Sequence, residues 1–332
     1  IVATGSAIGA NYGKIYRTSY PERTLLLASG AAAGISAAFN APIAGVMFAL
    51  EVLLTDVAVS HFIPLLIASA TGAIFSKLLL NEGILFAFNI SEGLEAYHLP
   101  FYLFLGVLAG LQSVYYARVT HWVERQFARL KHHPYRRAFV GGLILVVLCT
   151  FFPPLFSEGY SSLKLLAGND PKTLLQHPFL PDLPETEWML LVLVAAVCLL
   201  KVFATSITLA SGGYGGNFAP SLFVGAYLGF FFARFINYFN WIKLPEASFT
   251  VVGMAGILSG VMHAPLTAIF LIAEITSGYS LFIPLMLVAS VALFISRHFE
   301  QYAMDTKKLA TQGDIFTTNR DHNVLTRLKL NK

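Results

Sequence analysis

The chain has 332 residues, 56% of them hydrophobic, 14% aromatic and only 12% charged. A soluble domain is about a quarter charged because water must wet its outside, and a mean hydropathy of +0.66 excludes that class. The aromatic content, the scattered Gly and Pro and the lack of a sustained heptad exclude disorder, collagen and coiled coil, which leaves an all-α, polytopic membrane protein.

The first stretch, Ile1 to Gly13, is rich in small residues of the kind that let two helices approach closely, with Gly5 and Gly9 four apart. It has no charged leader, and the chain reads as the continuation of something longer. Ala31 to Glu51 is apolar apart from Ser36, Asn40 and its terminal Glu. Asn81 to His98 carries three acids and no Lys or Arg, so it is placed outside the membrane. One span then fits between His98 and Arg118. From Arg118 to Arg137 six basic residues face one acid, Glu124, which marks a cytoplasmic loop. A second span follows, and Ser157 to Glu187, with five acids and two bases, is again outside.

Between Leu190 and Ala233 Lys201 is the only charge, and the runs Ala247 to Ala273 and Ile275 to Ser296 have none. Each run can hold a membrane span. From Arg297 onward seven basic residues outnumber four acids, so the tail is cytoplasmic. The basic residues lie in loops rather than on one face, so the net charge of +4 reports topology and not nucleic-acid binding. Cys149 and Cys198 both sit in apolar runs, as small buried hydrophobes do.

An internal repeat runs through the chain. Gly5 and Gly9 superpose on Gly225 and Gly229 at an offset of 220. Ala33-Gly34-Ile35 matches Ala255-Gly256-Ile257, Asn40-Ala41-Pro42-Ile43 matches His263-Ala264-Pro265-Leu266, and Glu51 falls on Glu274. Two homologous halves are a common transporter plan, often inverted, with the ligand held where the halves meet. The expected units are 1–98, the remainder of a first half; 99–312, a second half; and 313–332, a cytoplasmic linker.

Ser211 to Pro220 (SGGYGGNFAP) is a glycine-rich loop that opens a helix within an apolar region. The first N–H groups of a helix have no partner inside it and carry partial positive charge, so such an end attracts anions. Backbone dipoles also release an anion more readily than a bare Lys or Arg. Gly213-Tyr214-Gly215 is similar to a potassium-channel filter, which makes a cation pore the rival; a structural glycine kink is the other.

Glu51 and Glu274 are intramembrane acids. Their symmetric placement favours paired packing or capping hydrogen bonds, with proton handling the alternative. Lys201 either adds to an anion-attracting field or snorkels and pairs with an acid. His263 has no companion at ligand spacing, so no metal site is expected. No Ser/His/Asp set, phosphate loop or dinucleotide fingerprint is present, so the chain is not expected to be an enzyme or to use a cofactor.

Ser211 to Gly225, Ala31 to Glu51 and Gly256 to Glu274 resemble the CLC family of chloride channels and proton/chloride exchangers. The resemblance implies a CLC-type inverted repeat of tilted and re-entrant helices. It implies a homodimer in the bilayer of the bacterial inner membrane, each subunit with its own chloride pathway. The matching anion donors are the backbone amides of Asn217 and Phe218, flanked by Gly216 and Ala219. The gating glutamate and pore serine of the family match segments that would precede Ile1, and cytoplasmic CBS domains would follow Lys332. Exchangers usually carry a second glutamate directly after the Glu51 position; here it is Val52, as in the channels of the family, which favours passive conduction over proton-coupled antiport. The pore tyrosine aligns with Asp305, a carboxylate that would repel chloride unless paired or turned away. The reading from another class is a membrane scaffold or sensor, and a second within transport is a different halide.

Overall fold

The structure is a computed structural model that describes residues 1–54, 59–80, 95–156, 159–167, 186–240, 242–276 and 279–307. Most of the two acid-rich outer segments and the expected linker 313–332 lie outside these residues.

Among the described residues every regular element is helical. The α-helices are α1 (Val2–Ile15), α2 (Tyr20–Phe39), α3 (Pro42–Phe48), α4 (Val59–Leu80), α5 (Leu99–Ala128), α6 (Pro134–Phe151), α7 (Tyr160–Ala167), α8 (Glu187–Ser211), α9 (Phe218–Tyr238), α10 (Glu246–Met262), α11 (Pro265–Ile275) and α12 (Phe282–Phe299). Six of the helical stretches are long and apolar enough to cross a membrane. Lipid tails can replace none of the backbone hydrogen bonds of a spanning segment, which is why helices carry the whole fold.

The repeat is built as a helix pair, a reversal and a half-helix. α1 crosses α2 so closely that a Cβ on Gly30 would stand 2.1 Å from the Gly5 carbonyl oxygen; α9 crosses α10 the same way, with 2.4 Å from Gly253 to the Gly225 oxygen. Each pair then turns on a left-handed residue, Asn40 (φ 52°) in the first half and His263 (φ 55°) in the second. A Pro two residues later starts the half-helix, α3 or α11. α11 has 11 residues, about 16 Å of rise, half of a bilayer core.

Two side-chain bonds recur in both halves. Ser36 donates to the Ser69 carbonyl at 2.5 Å and Ser259 to the Ala289 carbonyl at 2.8 Å. Ser76 bonds the Ala37 carbonyl and Ser296 the Gly260 carbonyl, both at 2.6 Å. Thus α4 lies on α2 as α12 lies on α10. The core sits around α10, where every residue from Ser248 to Val261 is buried, as a helix apolar on all sides requires. α6, by contrast, is mostly exposed along an apolar surface, as a helix facing lipid would be.

Ion pairs tie separate elements together. Arg234 at the end of α9 holds Glu187 at the start of α8 (2.6 Å) and Glu246 at the start of α10 (3.0 Å). Arg118 on α5 holds Glu300 just past α12 (3.3 Å), which brings together the two segments that charge assigned to the cytoplasm.

Candidate functional site

α8 stops because Gly212 adopts φ 103°, and the N–H groups of Gly212 and Gly213 bond back to the carbonyls of Leu209 and Thr208. A side chain would strain that turn, so glycine is required there. Tyr214 then stands 88% exposed. The chain re-enters a helix at Asn217, whose carbonyl accepts the first helical bond from the Ser221 N–H at 3.0 Å. By helix geometry the amides of Asn217, Phe218 and Ala219 precede the first bonded turn, and Pro220 has no N–H to offer.

The start of α9 lies where the halves meet. The Phe218 ring packs 5.3 Å from Phe39 at the end of α2 and 6.4 Å, edge-on, from Phe48 of α3. The same apolar cluster takes in Val2 in the first turn of α1 and Met262 at the end of α10. Residues of both halves therefore surround the start of α9.

Glu51 lies in a π turn, Ala49–Leu53, that extends α3. Its carboxylate accepts the N–H of Thr267 (2.8 Å), the hydroxyl of Thr267 (2.9 Å) and the N–H of Leu266 (3.2 Å), at the start of α11. Glu274, at the end of α11, accepts the N–H groups of Ile43 (2.9 Å) and Ala44 (2.8 Å), at the start of α3. The two half-helices are thus antiparallel, and each ends in the cap of the other. Val52, the next residue after Glu51, is 37% exposed and takes no part in these caps.

Asp305 comes to the same locality from the far end of the chain. Its Oδ1 accepts a hydrogen bond from Asn217 Nδ2 at 3.1 Å. The segment is moored by the Met304 N–H on the Val261 carbonyl (3.4 Å). The carboxylate is therefore paired at the helix start rather than turned away. Lys201 is 2% exposed and does not snorkel; its Nζ donates to the Leu155 carbonyl at 3.1 Å and lies 4.4 Å over the Phe223 ring. It borders a cavity of about 510 Å³ behind the glycine loop, with Thr205, Thr208, Tyr214, Gly215 and Pro220. The imidazole of His263 meets Ser296 Oγ at 3.4 Å, and no group of three metal-ligating side chains occurs among the described residues. Both cysteines are free thiols.

The capping bonds of Glu51 and Glu274 match the structural reading of the two acids, whereas the pairing of Asp305 with Asn217 and the three-phenylalanine junction were missed. Neither left a local signal, since the partners come from different elements; Asp305 and Asn217 stand 88 residues apart.

Two oppositely directed copies of one helical motif, with broken helices opening at their junction, define a transporter-type membrane fold. A family model described as voltage gated chloride channel matches residues 1–297, and the chain belongs to that family. It is 32% identical over 307 residues to a putative chloride channel protein ClcB-like from Ralstonia nicotianae, covering 90% of this chain and 66% of the relative. It is 30% identical over 313 residues to the voltage-gated ClC-type chloride channel ClcB of Escherichia coli, covering 90% and 70%. The chain thus spans about two thirds of the length of these curated relatives. Among solved structures, a slow cyanobacterial Cl⁻/H⁺ antiporter superposes with a TM-score of 0.78 at 23% identity, over 94% of this chain and 70% of the other. A CLC-type fluoride/proton antiporter superposes with 0.74 at 25% identity, over 91% and 70%. The chain is a multi-pass integral membrane protein.

Proposed function

We propose that the intact protein is a homodimeric chloride pathway in the bacterial inner membrane, conducting passively. What supports this reading is the start of α9, where by helix geometry the amides of Asn217 and Phe218 precede the first bonded turn, with Gly216 and Ala219 beside them, and the Phe218 ring packs on Phe39 and Phe48 of the other half. Such an end stabilises an anion by backbone dipoles alone and so lets it leave again. Glu51 and Glu274 act in this reading as structural caps, since their oxygens accept hydrogen bonds from the opposite half-helix. Val52 supplies an apolar side chain where a proton relay would need a titratable one.

A second reading, proton-coupled chloride exchange, draws its support from the two solved structures with similar folds, both described as proton antiporters. Chloride efflux from liposomes holding the full-length protein, with external pH recorded under an imposed proton gradient, separates the two. Passive conduction predicts downhill chloride and a still pH; uphill chloride with matching proton movement would establish exchange. Asn217→Pro, which deletes one donor, should cut anion flux about tenfold or more, on the scale of one lost hydrogen bond to a charge. Unchanged flux would remove the site from α9.

A further inference from the structure

The contact between Asp305 and Asn217 is a feature that the pathway described above does not use. A carboxylate at the mouth of an anion site opposes the ion the site attracts, yet here the chain holds one against the residue that opens α9. A second observation bears on the same contact. With Asn217 Nδ2 committed to Asp305, Asn217 Oδ1 is buried and has no hydrogen-bond partner among the described residues. A neutral Asp305 is a donor as well as an acceptor and could serve that oxygen after a turn of the amide; an ionised one cannot.

We infer that Asp305 is a proton-operated latch on the inner mouth of the anion site. Ionised, it bonds Asn217 and repels incoming chloride; protonated, it loses its charge, satisfies Asn217 Oδ1 and lets the ion pass. The inference rests on the proposed chloride pathway. α9 presents neutral Asn217 at the contact. On α5, Tyr116 is within electrostatic range and Arg118 is engaged by Glu300. Past α10, His263 meets Ser296, with Arg297 near it on α12. On the segment that carries Asp305, Glu300 is bonded by Lys307.

The test is chloride flux through the full-length protein in a planar bilayer, with the pH of the inner face lowered from about 7 to about 4, across the ordinary carboxylate range. Wild type is expected to speed up roughly three- to tenfold, the effect of removing one charge close to the ion path at intermediate dielectric. Asp305→Asn keeps the shape and the hydrogen bond without the charge, and should be fast at neutral pH and indifferent to inner acid. Asp305→Glu should keep the acid response and so control for misfolding. If Asp305→Asn is no faster than wild type at neutral pH, or keeps the full inner-acid response, the latch is refuted while the pathway stands. Absence of flux in wild type and both variants would overturn the pathway and the latch together.

Discussion

A carboxylate inside a membrane persists where hydrogen bonds replace its lost water, and Glu51 and Glu274 each accept at least two bonds from a helix start. Truncating either leaves two amides bare, so Glu274→Ala and Glu51→Ala should each lower stability by about 2–4 kcal/mol, read as unfolding of the purified protein in detergent. Glu300 offers a pH test outside the spans. Burial works against its charge, but the hydrogen bond and charge of Lys307, and then those of Arg118, outweigh it and hold the carboxyl below the usual range. A group whose folded pKa is depressed contributes stability that is present above the unfolded value and lost as pH falls through the folded one. Glu300→Gln should therefore cost about 1 kcal/mol at neutral pH and close to nothing in strong acid, as paired melts would show. Of the residue-scale facts, the two acids were legible because a Glu in an apolar run stands out. The partners of Asp305 were not, because a short segment past the last helix carries no periodicity to orient it.

At the scale of elements, the helix crossings are set by backbone against backbone. A Cβ at position 253 would meet the Gly225 oxygen at 2.4 Å, and neither backbone can yield without moving its helix. Gly253→Ala should cost about 3 kcal/mol or more and sharply reduce the yield of folded protein. Gly142, in the exposed apolar helix α6, has nothing within 4 Å of such a Cβ. Gly142→Ala should leave the yield intact or raise stability by up to about 1 kcal/mol through helix propensity. Thermal melts of the two variants side by side decide this. The first helix of each pair was readable from the spacing of Gly5 and Gly9 and of Gly225 and Gly229. Their partners, Gly30 and Gly253, were not, since each stands among other small residues of its helix and nothing in the spacing says which of them meets the neighbouring backbone. The π turn around Glu51 was likewise hidden, because its residues are ordinary helix formers. The start of α2 had a signal that went unread: Ser19 and Glu22 form a capping box, with the Ser19 N–H on the Glu22 carboxylate at 2.9 Å.

For the whole molecule, composition and loop charge were enough to give the all-α membrane class and a sidedness that the Arg118–Glu300 pair is consistent with. The way the halves interlock needed coordinates, because hydropathy reports depth and not neighbours. That interlock has a consequence for how the protein is made. The amide of Ile43 is capped by a side chain that comes 231 residues later. At roughly 5–20 residues per second the ribosome needs on the order of ten to fifty seconds to supply it. Throughout that interval the nascent first half carries a bare helix start that hydrocarbon cannot satisfy, so it must wait in the insertion machinery or at the headgroup level. A chain stopped before Pro265 would never be released from that state, and the cell would meet it as a substrate for proteolysis rather than as half of a membrane protein.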